Sequence, residues 1–105
     1  MRVFDQRMND GSRHFASLPE DYDPHTPQWD RIREHVAKLE GATLTSFVTD
    51  RVTEAWIDFT FHEHAFSMNN QQAQWWFFVE DPTCPDTLLE RVLDHFAGLL
   101  GGGAR

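Results

Sequence analysis

The chain is predicted to be a two-layer α+β domain: a four-stranded antiparallel meander with two helices packed on one face, in the order α-β-β-β-β-α. Three observations carry this expectation. Apolar residues recur at helical spacing near residue 30 and again near residue 90. Between these stretches, four short segments read as strands, with Leu44, Ser46 and Val48 sharing one parity and Ile57, Phe59 and Phe61 another. The loops between the four segments are too short for a parallel crossover, which leaves hairpins.

Residues 1–26 read as an N-terminal arm, partly ordered. They hold Pro19 and Pro24, the acidic run Glu20-Asp21-Tyr22-Asp23 and no sustained periodicity. Val3-Phe4 is a candidate for an extra edge strand, and Phe15, Leu18 and Tyr22 are candidates to pin the arm to the body. The domain itself spans 27–101. Thr26 suits a helix N-cap, with Pro27 at the first helical position. Trp29, Ile32, Val36 and Leu39 follow at intervals of three, four and three, which is one helical face. Gly41 suits the stop.

Strands are expected over 43–50, 54–62, 65–70 and 74–80. A second helix is expected from Cys84 to Leu100, with Thr83 and Asp86 in the spacing of a weak capping box. Its face is broad: Leu88, Leu89, Val92, Leu93, Phe96, Leu99 and Leu100. Gly101 to Gly103 stop it and leave a flexible tail at 102–105.

Residues 75–79, Trp-Trp-Phe-Phe-Val, stand apart. A strand with one wet face alternates apolar and polar residues, and this one is apolar on both. Something must cover each side: the helices on one, and on the other a second subunit, a ligand or the N-terminal arm folded over it within the monomer. Hairpin turns placed at Arg51-Val52, Glu63-His64 and Gln72-Ala73 set a register. They collect Leu44, Val48, Ile57, Phe59, Phe61, Phe66, Met68, Trp75, Phe77 and Val79 on the face beneath the helices. The opposite face then carries Phe47, Trp56, Asp58, Thr60, His62, Ser67, Asn69, Trp76 and Phe78.

Composition narrows the classes. The 105 residues make one domain, with 40% hydrophobic and 13% aromatic content. One cysteine, Cys84, excludes an internal disulfide and fits a reducing, cytoplasmic setting. No stretch approaches a membrane helix, and the first residues lack the apolar run of a signal peptide. The net charge is −8. From Thr53 to Phe96 it is concentrated as Glu54, Asp58, Glu63, Glu80, Asp81, Asp86, Glu90 and Asp94 against Arg91 alone. Nucleic-acid binding needs the reverse sign, and anionic membranes are repelled too.

Few residues promise chemistry. His62 and His64 share a direction only on a continuous strand. Zinc would still need a third ligand, for which Asp58 is the near candidate. With the pair in a turn, solvated histidines are the simpler reading. Cys84 at a helix start has N–H groups to lower its pKa, but Asp81 and Asp86 oppose ionisation. His95 lies about 16 Å along the helix, too far to act as its base. Acids at 80–90 suit a helix N-terminus. The amides of 69–72 suit a hairpin loop or a ligand beside Trp76. No catalytic residue, metal site or cofactor is therefore expected.

These readings lead to a small acidic, non-enzymatic binding or regulatory module. It is expected to form a homodimer through the aromatic sheet face, with Phe47, Trp56, Asp58, Asn69, Trp76 and Phe78 at the interface. Two alternatives stand beside it. One is an inhibitor- or immunity-type protein masking a basic partner. The other is a small ligand-binding protein or enzyme, with Asp58 as acid or base and Asn69 and Thr60 orienting the ligand.

Overall fold

The computed structural model describes residues 3–19, 28–50, 54–71 and 74–100. Its elements in chain order are strands β1 (Gln6–Arg7) and β2 (Arg13–Pro19), helix α1 (Gln28–Val36), strands β3 (Ala42–Thr49), β4 (Ala55–Phe61), β5 (His64–Asn69) and β6 (Gln74–Val79), and helix α2 (Asp86–Leu100). They form one antiparallel sheet of six strands, ordered β1-β2-β6-β5-β4-β3. The α+β class holds, but the expected order α-β-β-β-β-α does not: β1 and β2 precede α1, and the four consecutive neighbours β3 to β6 are part of a six-stranded sheet. Two strands are added. The segment expected as an arm supplies β1 and β2, and β2 pairs along the whole of β6. The expected cap at Thr26-Pro27, the acidic run Glu20–Asp23, the turns at Arg51-Val52 and Gln72-Ala73, and the tail 102–105 lie outside the described residues.

The inner face of the sheet carries the core. Ile57, Phe59, Phe61, Phe66, Met68, Trp75, Phe77 and Val79 are buried there, joined by Phe15, Ala16 and Leu18 from β2. Trp29, Ile32 and Val36 of α1 and Leu89, Val92, Leu93 and Phe96 of α2 cover them. Phe96 reaches the centre, with its ring 5.5 Å from Phe77 and 5.8 Å from Phe59. Phe59 in turn lies parallel to Phe66 at 5.4 Å.

Register follows expectation between β5 and β6, where Met68 opposes Phe77 and Phe66 opposes Val79. Between β4 and β5 the turn is His62-Glu63 rather than Glu63-His64. Pairing slips by two, Phe59 opposes Phe66, and every side chain keeps its face. Both turn residues have positive φ, 50° at His62 and 69° at Glu63, which gives a tight two-residue hairpin without the usual glycine. Between β3 and β4 a bulge separates Leu44 from Ser46. Leu44 opposes Phe59 as expected, but beyond the extra residue Val48 opposes Trp56, not Ala55. A slip of one exchanges faces. Ser46 and Val48 turn outward and Phe47 turns inward, under the Arg33 guanidinium at 5.0 Å.

The two helices are joined by a histidine clasp. His35 of α1 and His95 of α2 stack with ring centroids 3.8 Å apart. Nε2 of each donates to the other's backbone carbonyl at 2.7 Å. Burial pushes the His35 pKa below its ordinary value, and the nearby His95 and Lys38 act the same way. The N-terminal segment is held by Arg13, which is almost wholly buried. Its guanidinium bonds the Phe4 carbonyl and Asp86, the first residue of α2, both at 3.0 Å. Asp86 therefore anchors the sheet edge as well as facing the helix dipole. Helix α2 starts at Asp86 rather than Cys84, because Thr83 bonds Asp81 through both its N–H and its hydroxyl, and the Pro85 carbonyl accepts the first helical bonds.

Two stability predictions follow from this geometry. Glu63→Gly removes a side chain from a left-handed position and is expected to raise stability by roughly 0.5–1 kcal/mol in chemical denaturation. The second concerns pH. The His35 pKa is depressed in the fold, and burial depresses that of His14 as well. The unfolded chain thus takes up protons that the folded one refuses. Stability from these groups is complete above the unfolded value of about 6.5 and is lost as pH falls through and below it. The urea midpoint should be flat above pH 7 and fall between about 6.5 and 5. His35→Gln should flatten that fall; an unchanged profile would exclude the clasp as its source.

Candidate binding site

The outer face of the sheet is built from two rows of opposed residues. One row takes a residue from each strand: Ser46, Asp58, Ser67, Phe78, His14 and Gln6. The next runs Val48, Trp56, Asn69, Trp76 and Ser17. Of the six residues expected at a site, Trp56, Asp58, Asn69, Trp76 and Phe78 share this face. Phe47 does not, because the bulge in β3 turns it inward.

The face divides into a covered half and an open half. His14 sits over β6, with its ring 4.8 Å from Trp76 and 5.1 Å from Phe78. Phe4 closes over His14 edge-on at 4.7 Å. His14 is buried, with Nδ1 bonded to Gln6 at 3.0 Å, while Nε2 has no partner among the described residues. The Trp76 indole N–H donates to the Gln71 carbonyl at 2.6 Å. Both aromatics of β6 are thus largely engaged within the chain. On the other half, Trp56 and Val48 remain 37% and 56% exposed.

Between the halves lies a groove of about 530 Å³. Asp58, Ser67 and Phe78 form its floor, Thr45 stands on one side, and Met8, Asp10 and Ser12 of the loop between β1 and β2 stand on the other. Thr45 is the extra residue of the bulge, so the same slip that removes Phe47 adds a hydroxyl to the wall. The Asp10 carboxylate accepts from the Ser12 N–H at 2.9 Å and its hydroxyl at 2.7 Å, which holds its pKa below the ordinary value. Asp58 differs. It is half-buried, burial raises its pKa, and among the described residues none bonds its carboxyl group.

The remaining chemical candidates are placed elsewhere. His62 is exposed in the turn, 3.3 Å from Arg91, and His64 lies 3.9 Å from Asp81. Among the described residues no three His, Cys, Asp or Glu side chains gather as a metal site. Cys84 is buried, and burial with Asp81 beside it pushes its thiol up to about 11, so it stays protonated at neutral pH. Asn69 accepts from the Gln71 N–H at 3.4 Å, and buried Asn70 accepts from the Ala55 N–H at 2.8 Å. Asn69 therefore serves its own loop, and Asn70 ties that loop to the start of β4.

The wall residues Met8, Asp10, Ser12 and Thr45, and the cover of Phe4 and His14, were not legible as site residues. Their one signal is the double-sided apolar run, which demands a cover and makes the N-terminal arm a candidate for it without singling out these residues. No family model, curated protein or solved structure matches the chain.

The two neighbouring tryptophans should separate sharply on truncation. Trp75 is fully buried, and Trp75→Ala is expected to cost roughly 3–5 kcal/mol. Trp76→Ala loses one hydrogen bond and one ring contact, about 1–3 kcal/mol. Equal losses in thermal melts would show that Trp76 is as much a core residue as Trp75.

Proposed function

We propose that the chain is a non-enzymatic binding module that seats a basic segment of a partner protein on the open half of its outer sheet face. One arginine or lysine side chain of that segment enters the groove over Asp58. The observation that carries this reading is the half-buried Asp58 carboxyl group with no bond from the described residues. A desolvated carboxylate is costly unless paired, and a cationic side chain supplies the missing pair. Glu80 and Asp10 on the groove wall add charge of the same sign. Trp56, two residues before Asp58 on the same face, offers a ring for the apolar stem or for cation–π contact. The acidic stretch from Thr53 to Phe96 would speed the encounter with a basic partner.

Homodimerisation face to face fits this geometry less well. A two-fold interface sets the same patch against itself, so Asp58, Asp10 and Glu80 would meet their own copies. Catalysis by Asp58 fits less well too, since the groove residues opposite it are Ser46 and Ser67, and Asn69 is engaged with its own loop.

A hexaarginine peptide tests the reading by calorimetry and tryptophan fluorescence at low salt. Binding is expected to weaken roughly tenfold or more in Asp58→Asn, and to weaken with added salt. It should also fall as pH drops through the carboxylate range, because only ionised Asp58 attracts the cation. The raised pKa places that fall at a higher pH than for an exposed aspartate. Equal binding by Asp58→Asn would reduce the interaction to general attraction by an acidic surface and overturn the proposal.

A further inference from the structure

We propose that two copies of the chain join edge to edge through β3, running antiparallel about the midpoint between Thr45 and Ser46. The joint continues the sheet across both molecules and rests on the backbone edge of β3, not on the Asp58 carboxyl group.

The sheet ends in β1 on one side and β3 on the other. Strand β1 has two residues, whereas β3 has eight, Ala42–Thr49. An edge strand of this length presents a row of backbone N–H and C=O groups to any chain that can align with it. Edges are ordinarily guarded by charged residues or proline. None occurs between Ala42 and Thr49, in a chain that is 25% charged and carries a net −8. The strand is therefore a neutral strip along which two like-charged molecules can approach. Leu44 and Val48 on it are 37% and 56% exposed.

The order of faces along β3 identifies the occupant as a second copy. Ala42, Leu44, Phe47 and Thr49 oppose inner-face residues of β4, namely Phe61, Phe59, Ile57 and Ala55. Thr43, Ser46 and Val48 oppose the outer-face residues Thr60, Asp58 and Trp56, and Thr45 lines the outer groove. Inward and outward positions thus read the same from either end of the strand. An unbulged strand of eight keeps faces matched only about a residue, which leaves one end position unpaired. The bulge lets all eight positions pair face to face about the midpoint. Leu44 then lies against Phe47 of the partner subunit, Ala42 against Thr49 of the partner subunit, and Thr43 against Val48 of the partner subunit. The bulge also interrupts the ladder at its centre, leaving two arms of three residues. That predicts a reversible dimer with a dissociation constant on the order of micromolar, not an obligate one.

Sedimentation of the full chain from about 2 to 200 μM tests the joint. The wild type is expected to shift from monomer towards dimer over that range. Val48→Lys and Thr43→Glu, both at exposed outward positions, should each raise the dissociation constant roughly tenfold or more with unchanged melting temperature. An equimolar mixture of the two variants should recover dimer, because the pairing sets the ammonium introduced in one chain against the carboxylate introduced in the other. A monomeric wild type throughout the range overturns the proposal. So does a dimer that either variant leaves intact, and so does a mixture that fails to recover.

Discussion

The molecule is organised around one strand that has no wet side. Strand β6 lies third in the sheet, between β2 and β5, and every residue from Trp75 to Val79 is apolar. Burying both of its faces requires two separate covers. The helices provide one, over Trp75, Phe77 and Val79. The other comes from the start of the chain, where His14 and Phe4 close over Trp76 and Phe78. The first long strand must therefore pair with the last one, at the greatest sequence separation in the sheet. Such closure is entropically costly, and its cost grows slowly with loop length. Arg13 helps to hold the result, since one buried guanidinium ties the Phe4 carbonyl to the first turn of α2. A charge so buried is stabilising only while its partners remain, which couples the sheet edge to the helix.

That arrangement also decides which surface is left for partners. With the β6 side of the outer face closed by the chain itself, the remaining aromatic and acidic groups lie over β3, β4 and β5. They are less apolar than the sequence pattern suggests. Asp58 stands between Ser46 and Ser67 across the strands, and Asn69 separates the two indoles of Trp56 and Trp76. Interfaces of this composition suit partners that bring charge with an apolar stem. Arginine and lysine bring both on one side chain.

How much of this could be read from residues alone depends on whether a local period was intact. The helices were legible because Trp29, Ile32 and Val36, and later Leu89, Val92, Leu93 and Phe96, keep a helical period; Leu39 continues the spacing but lies beyond the end of α1 at Val36, in the turn before Gly41. Strands β4 and β5 were legible for the same reason, and β6 as a short apolar run bounded by polar loops; even a hairpin turn misplaced by one residue leaves their faces unchanged. Strand β3 was half legible. A bulge leaves no mark in a run such as Leu-Thr-Ser-Phe-Val, so an unbroken alternation places Phe47 and Val48 on each other's faces. Strand β2 was hidden for the same physical reason. Its pairing with β6 shifts between His14 and Ala16, and Phe15, Ala16 and Leu18 are all buried, so no alternation survives. Arg13 and His14 give no sign of burial either, because burial of a cation or an imidazole depends on partners far away in sequence.

The bulge at Thr45 has consequences on both sides of β3. Outward, it turns Thr45 into the wall of the groove beside Asp58. Along the edge, it makes the order of faces symmetric, which a regular strand of that length lacks. A bulge commonly serves to blunt an edge by disrupting its ladder. Here the disruption falls at the centre of the strand, where two copies related by a two-fold axis would present the same irregularity to each other. The arms on either side keep regular spacing. Pairing through them would also set two Asp58 grooves on one continuous outer face, each one strand away from the joint. A partner carrying two basic side chains would then meet both at once, and the second contact would cost less entropy than the first. Edge pairing and groove binding would thus reinforce each other without any change in the shape of either copy.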